Sequence, residues 1–426
     1  MLVRSTKCKV SKRRNRAVGL WLGLFLVMTI APMTATAQTE ITFYGAWGAP
    51  YRLEVMAELV ALFESENPDL RVNLVNIAGW EAVEERAQVS IAGGTPPDLL
   101  YMGETGGLTT FAHAGILTPL DSRVAADPAV DLSDFIPSVL ELGRYNGNLY
   151  GIPIDSITTV HYHNLDLLGQ VGVGAPSQTQ DELVEVARKL TAATDTPVIL
   201  RSPWNLRDFT KFLFPDGGSL FDESGSVPRF NDEAVQGAVD FLAEHWEGGL
   251  FGGFPGDAWF NGRVGVHSVV PIVVTNTRRV NQATFDATAT LVPAGSHSRD
   301  NWAWGHYLAI PTASAKKDEA WRLIRFLLRH DVSTRWHLGM DFLPAQFSVF
   351  FDEPLYAQDV IWSTFVSQLQ ATQPVPVTPY WQDISRIWTE EIQPVFQRQQ
   401  ASGNALARVQ ERVEAYVNER GGSIFP

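Results

Sequence analysis

The 426-residue sequence holds a single cysteine, Cys8, and it lies in a basic leader. Beyond that leader there is no thiol, which excludes a disulfide framework, a cysteine nucleophile and a thiolate metal site. Three common catalytic or phosphate-binding signatures, G-x-S-x-G, H-E-x-x-H and G-x-x-x-x-G-K-[ST], are missing as well. Gly172-x-Gly174 lacks a third glycine and runs into Pro176, so it reads as a turn and not a dinucleotide loop. Positive charge is scarce after residue 37. Residues 1–37 carry seven bases (Arg4, Lys7, Lys9, Lys12, Arg13, Arg14, Arg16) and no acid, leaving 26 Lys and Arg against 47 Asp and Glu, a net of −21. Such a body repels phosphate backbones and anionic membrane surfaces, so a nucleic-acid partner is not expected. There is no internal repeat and no low-complexity segment. What is present, 45% hydrophobic and 19% charged residues, supplies enough apolar surface for two or three folded domains.

The leader continues into Ala17–Met33, an uncharged apolar run, and then Ala35-Thr36-Ala37, with small residues at the −3 and −1 positions of a cut before Gln38. Basic region, apolar core and A-x-A ending describe a secretory signal peptide at 1–37. A retained anchor is the competing reading, but the run is slightly short and Pro32 interrupts its end. Arg13-Arg14 suggests twin-arginine export, yet Arg16 stands where that signal prefers an apolar residue, which favours the ordinary route. Later apolar runs are too short to span a bilayer, so the expectation is a soluble chain of 389 residues in an exported compartment.

Ile41–Tyr44 alternates as a short strand, and Gly45–Pro50 breaks it. Leu53, Met56, Leu59, Val60 and Phe63 recur at helical spacing up to the stop at Pro68. Leu70–Ile77 reads as a strand, Trp80–Ala92 as a helix and Asp98–Met102 as a buried strand. Strands alternating with helices in units of about thirty residues argue for parallel βαβ layers and an α/β class. Further helices are expected at Asp181–Ala192, Asn231–Glu247 and Lys316–His330, with a strand at Pro197–Leu200. Asp383–Tyr416 reads as two helices interrupted near Ala401–Asn404.

Tryptophan is the unusual ingredient: twelve remain after Trp21 of the leader. Trp246, Trp321, Trp336 and Trp388 fall on helix faces and read as core. Trp47, Trp80, Trp204, Trp302, Trp304 and Trp381 fall at strand–loop junctions, where open α/β sheets bind ligands beyond the carboxyl ends of their strands. A broad ring there can cover the C–H patch of a pyranose, contributing about 1 kcal/mol beyond area burial by analogy with aromatic pairs. His161 and His163 share one face of a strand and could ligate a metal, but no third ligand is evident, so they read as interior or rim histidines. No metal or cofactor is expected.

Seven segments in order resemble the family 1 extracellular solute-binding proteins of ABC importers, the group that includes maltose-, trehalose- and glycerol-3-phosphate-binding proteins. The helix Leu53–Phe63, Asn67-Pro68-Asp69-Leu70-Arg71-Val72 after it, Ile91–Leu99 (IAGGTPPDL) and Gly115–Leu120 (GILTPL) are four of them. Asn146–Pro153 (NGNLYGIP), Trp259–Val266 (WFNGRVGV) and Ala309–Pro311, with Ala320-Trp321 and then Ile324–Leu327, complete the pattern. Departures occur: Tyr162-His163-Asn164 replaces the family's "YN", Gln180 stands for its tryptophan, and Val270-Pro271-Ile272 stands near the place of its "G-x-W".

The resemblance implies a two-lobed periplasmic-binding-protein fold of class II type with a hinged interlobe cleft and three hinge crossings. Lobe one would comprise 38–152 and 300–343, and lobe two 153–299 and 344–426. It implies ligand contacts from Trp47, Trp80, Met102 and Glu104, from Asp155 past the first crossing, and from Arg201 and Trp204. Pro271, then Trp302, Trp304, Gly305 and His306 at the return crossing, and Tyr380 and Trp381 complete the set. Trp204 is the preferred stacking platform. The implied protein is a monomeric periplasmic binder that captures a mono- or oligosaccharide and delivers it to the membrane subunits of a permease, with no catalysis. Two rivals remain: a phosphorylated ligand such as glycerol 3-phosphate, held by Arg201, Arg207, Arg278 or Arg386, and a secreted carbohydrate-active enzyme, which needs two carboxyl groups flanking the cleaved bond.

Overall fold

A computed structural model describes residues 38–103, 107–200, 202–222, 227–253, 256–373 and 378–420. The signal-peptide reading of 1–37 lies outside the described residues. No helix of the described residues is long and apolar enough to cross a membrane.

Two five-stranded sheets organise the chain into two lobes. The first runs Leu70–Asn76, Thr39–Gly45, Leu99–Gly103, His306–Ala309, Ile152–Pro153 across its width. The second runs Phe251–Gly252, Thr196–Ile199, Val264–Val269, Val160–Asn164, Ala287–Thr290. The expected parallel layers hold for three strands of each sheet. His306–Ala309 and Val160–Asn164 are antiparallel to their neighbours. Both are strands the chain enters from the other lobe, so no crossover helix on their own lobe dictates their direction.

Local sequence explains the flanking helices. Pro50 opens Pro50–Glu66 at a position that needs no N–H, and Arg52, Met56, Leu59 and Phe63 form its buried stripe. Asn67 ends it by donating from Nδ2 to the Phe63 carbonyl at 2.8 Å, just before Pro68. Gln180–Leu190 starts at Thr179, whose hydroxyl accepts from the Glu182 N–H, while Glu182 reaches back to the Gln178 N–H. This reciprocal cap satisfies donors that the helix itself cannot. The expected helix at 316–330 forms as Lys317–Leu327, and a further helix, His330–Met340, follows it. The tail forms Trp381–Phe396 and Ser402–Glu419.

The chain passes between the sheets at 154–159, again at 301–305 and again near 343–344, and the three passages lie side by side. Ile157 and Trp304 exchange backbone hydrogen bonds of 2.7 and 2.9 Å. Asp155–Ser156 pairs antiparallel with Leu343–Pro344, and the Ser156 hydroxyl donates to the Pro344 carbonyl at 2.6 Å. Gly305 is required where the passages touch, because a Cβ there would sit 2.3 Å from the Asp155 carbonyl oxygen.

Candidate ligand-binding cleft

The carboxyl ends of the parallel strands of the first sheet deliver one wall. Thr39–Gly45 leads to Ala46 and Gly48, Leu70–Asn76 to Gly79 and Trp80, and Leu99–Gly103 ends at Gly103 itself. Gly79, at φ 107°, supplies the backbone turn that launches the helix beginning at Trp80. The opposite wall comes from the second sheet. Val264–Val269 leads to Val270, Pro271 and Ile272, with Pro271 opening a short helix. Asn205 caps Leu206–Leu213 by accepting from the Arg207 and Asp208 N–H groups at 3.0 and 3.2 Å, which brings all three residues to the cleft.

The space between forms two chambers of about 310 and 430 Å³. They share Ile157, Arg207, Ile272, Trp304 and Phe342, so they are halves of one continuous cleft. Its size and mixed apolar and polar lining suit a small organic solute. Arg207 lies over both the Trp302 and Trp304 rings, 4.9 and 4.6 Å from their centroids. Arg52 is 6% exposed, stands 3.7 Å from Asp341 and lies over Phe342 at 5.0 Å. Its Nε and Nη2 have no hydrogen-bond partner among the described residues. Among the described lining residues two arginines stand with Glu81, Glu84 and Asp208, so cations are not in excess there.

Behind the larger chamber sits a buried polar cluster. The His306 imidazole stacks on Trp80, with ring centroids 4.0 Å apart and planes 18° apart, and meets Phe342 edge-on at 4.9 Å. Asp155 Oδ1 accepts from the His306 backbone N–H at 2.9 Å and lies 2.8 Å from its Nδ1. The Tyr101 hydroxyl donates to Asp155 Oδ2 at 2.8 Å. Burial and the Asp155 charge push the Tyr101 phenol well above its ordinary value, so it stays a donor.

Of the residues expected at the site, Trp80, Pro271, Trp304, His306 and Trp381 line the cleft. Gly305 serves as the close-approach point of the crossings. Tyr380 stands at the start of the helix Trp381–Phe396, against His113 and Tyr416, and is not among the cleft-lining residues described. Five expectations need correction. Asp155 is fully buried with both oxygens engaged, so it is no open acceptor for a ligand. Trp204, the preferred platform, turns away into lobe two, meeting Trp246 at 5.3 Å and Phe396 at 6.0 Å. Trp47 folds back under Gly45 and stacks on Tyr101 inside lobe one, at 1% exposure. Met102 is also buried at 1%, since both faces of its strand are covered. Trp302, 1% exposed, backs Trp381 edge-on at 5.1 Å and takes Arg207 on its ring. Glu104 and Arg201 lie outside the described residues.

Sequence reasoning missed Arg52, Phe342, Asn205, Glu81 and Gln382. An arginine within the buried stripe of the first helix was the one available signal, because a charge there needs a reason. Arg207 entered only as a phosphate candidate. Of the others named with it, Arg201 lies outside the described residues, Arg278 is committed to Asp359 at 2.7 Å, and Arg386 to Asp383 and Glu390 on an exposed helix face. Among the described residues no group of three metal-ligating side chains occurs.

Comparison with known proteins sets this geometry in context. A putative binding protein of Brucella abortus is 24% identical over 407 residues, covering 90% of this chain and 94% of that one. The sugar-binding protein MalE from Xanthomonas citri superposes with a TM-score of 0.77 at 24% identity, covering 90% of this chain and 98% of that one. UgpB from Mycobacterium tuberculosis, solved in complex with glycerophosphocholine, superposes with a TM-score of 0.79 at 19% identity over 90% and 99%. These likenesses carry the two-lobed fold. The family model for bacterial extracellular solute-binding proteins matches residues 48–333, most of the chain, and the protein belongs to that family.

Proposed function

We propose that this protein is the periplasmic binding component of an ABC importer and captures a carbohydrate by hinge closure. The observation that carries the ligand class is the cleft lining: Trp80, Trp304 and Trp381 beside a near-balanced set of arginines and carboxylates. Rings of this kind cover sugar C–H faces, and mixed donors and acceptors meet hydroxyls, whereas a phosphate ester calls for an excess of cations. The lobes divide at 38–152 with 300–343 and at 153–299 with 344–426, and 1–37 is removed on export. The mature chain acts as a monomer.

Each lobe alone offers half a site, so a ligand touching both stabilises the closed form over the open one. Bias arises only from that differential affinity, with roughly 5.5 kcal/mol needed to swing a population from 1:99 to 99:1. The closed lobes then present their surfaces to the permease, and the solute leaves unaltered. A thermal-shift panel tests the reading. A neutral sugar at a hundred times its Kd adds about 2.7 kcal/mol of stability and raises the melting temperature, while glycerol 3-phosphate leaves it in place. The reverse pattern, or cleavage of the bound sugar on incubation, refutes it.

A further inference from the structure

We infer that His306 is a hydrogen-bond acceptor for a ligand hydroxyl, locked into one tautomer by Asp155, which acts as a positioning residue. The inference rests on the carbohydrate reading above and assigns an atomic role within that site. Asp155 is wholly buried and its carboxylate is ringed by donors: the His306 backbone N–H, the Tyr101 hydroxyl and the imidazole Nδ1 at 2.8 and 3.0 Å from its two oxygens. A carboxylate in that setting has only lone pairs to offer, so the ring hydrogen belongs on Nδ1. Nε2 then carries the lone pair.

The ring cannot turn to hide it. Trp80 covers one face at 4.0 Å, Phe342 closes in edge-on at 4.9 Å, and Tyr101 stands 5.2 Å away. His306 lines the larger chamber, and its hydrogen bonds among the described residues all run from the Nδ1 side and the backbone. A ligand stacked on the outer face of Trp80 would lie beside that lone pair. Acceptors at His306 and Glu81 would then face donors at Arg52 across one chamber, the pairing that a hydroxyl, at once donor and acceptor, satisfies.

The test uses the mature protein labelled with ¹⁵N in its histidines. Long-range ¹H–¹⁵N spectra identify the His306 ring by its loss in H306F, and the expected result is a protonated Nδ1 and a bare Nε2. In D155N the new amide donates to Nδ1, and the hydrogen moves to Nε2. Maltose, trehalose and lactose are then screened by thermal shift, and the sugar with the largest effect is titrated by calorimetry. H306F keeps the aromatic stack but should bind that sugar about tenfold more weakly, the equivalent of one hydrogen bond, and D155N should fall similarly. A wild-type ring protonated at Nε2, or an H306F variant with unchanged affinity for a sugar that does bind, overturns this inference alone. Failure of every sugar to stabilise the wild type overturns the carbohydrate reading and this ligand with it.

Discussion

The two lobes solve one problem, covering both faces of a five-stranded sheet, with unlike interiors. Lobe one is packed with aromatic rings. Phe43, Trp47, Tyr101 and Trp336 are all at or below 1% exposure and meet one another edge-on or stacked at 5.2 to 6.2 Å. Lobe two places polar groups at the equivalent depth. His161 and His163 on its inner strand are fully buried, and Ser268 is the cross-strand partner of His161. His163 Nε2 lies 2.9 Å from the Thr290 hydroxyl, and Lys211, 4% exposed, is held by Asp208 at 2.6 Å. Because Asp208 lines the cleft, this polar interior is continuous with the ligand-facing wall. Both lobes are held by packed side chains, lobe two with its own buried rings at Phe209 and Trp388, but lobe two adds a strand of buried imidazoles that must stay uncharged.

Removing a ring from lobe one should give the largest effect. Trp336→Ala empties a site at 0% exposure between Tyr101 and the helix Pro50–Glu66, and should cost about 3–5 kcal/mol in urea unfolding. A loss below about 1 kcal/mol would show that the aromatic cluster is not what holds lobe one together. Lobe two should break instead with acid. Burial lowers His163 from 6.5 to about 3, and burial, aided by the neighbouring His163 and Lys211 charges, drives His161 well below its ordinary value. At neutral pH both imidazoles are uncharged in the folded chain, so proton linkage takes little from stability there. As the pH falls below 6.5 the unfolded chain takes up protons that the folded chain refuses, so stability declines from there down to the folded values. At pH 5 the loss from His163 should be about 2 kcal/mol, and His161 adds to it in the same direction. Lobe one holds a smaller share of this liability in His337, lowered to about 4 by burial. Hydrogen exchange at pH 7 and pH 5 should therefore show lobe two opening first, and uniform opening would contradict the contrast.

The fold was legible because it is written in periodicity and punctuation. The stripe Met56, Leu59, Phe63, the stop at Asn67-Pro68 and the turn before Asp98 are local signals, and the elements formed where they pointed. The cleft was legible only in part, because which way a junction tryptophan turns depends on partners far away in sequence. Trp304 and Trp204 both follow strands, yet Trp304 lines the cleft at the hinge while Trp204 is drawn inward by Trp246 and Phe396. The antiparallel entry of His306–Ala309 puts Gly305 against Asp155 and converts an expected ligand acceptor into a buried support. No periodicity announces a contact between residues 150 positions apart.

That pair of tryptophans gives the next test of the contrast between wall and interior. Trp304→Ala should weaken sugar binding by about tenfold or more, as loss of one stacked ring implies, with a smaller change in melting temperature. Trp204→Ala should do the opposite, lowering the melting temperature through its lost packing against Phe396 while leaving affinity near the wild-type value. Equal binding losses in both variants would show that Trp204 reaches the ligand after all, despite its inward turn.

The smallest effect should come from the outer face of lobe two. Arg386 bridges Asp383 and Glu390 at 3.1 and 3.0 Å, with more than half of its side chain in solvent. Exposed pairs at helical spacing recover little, because water screens the charges and two side chains lose freedom to hold one geometry. Arg386→Ala should therefore change stability by no more than about 0.5 kcal/mol. It should also leave sugar affinity unchanged, since the bound guanidinium is committed to its own helix and not to the cleft. A marked loss of affinity in this variant would instead place Arg386 among the ligand contacts and revive the phosphorylated solute, because a free arginine beside Trp381 would tip the cleft's balance toward the cation excess that such a ligand demands.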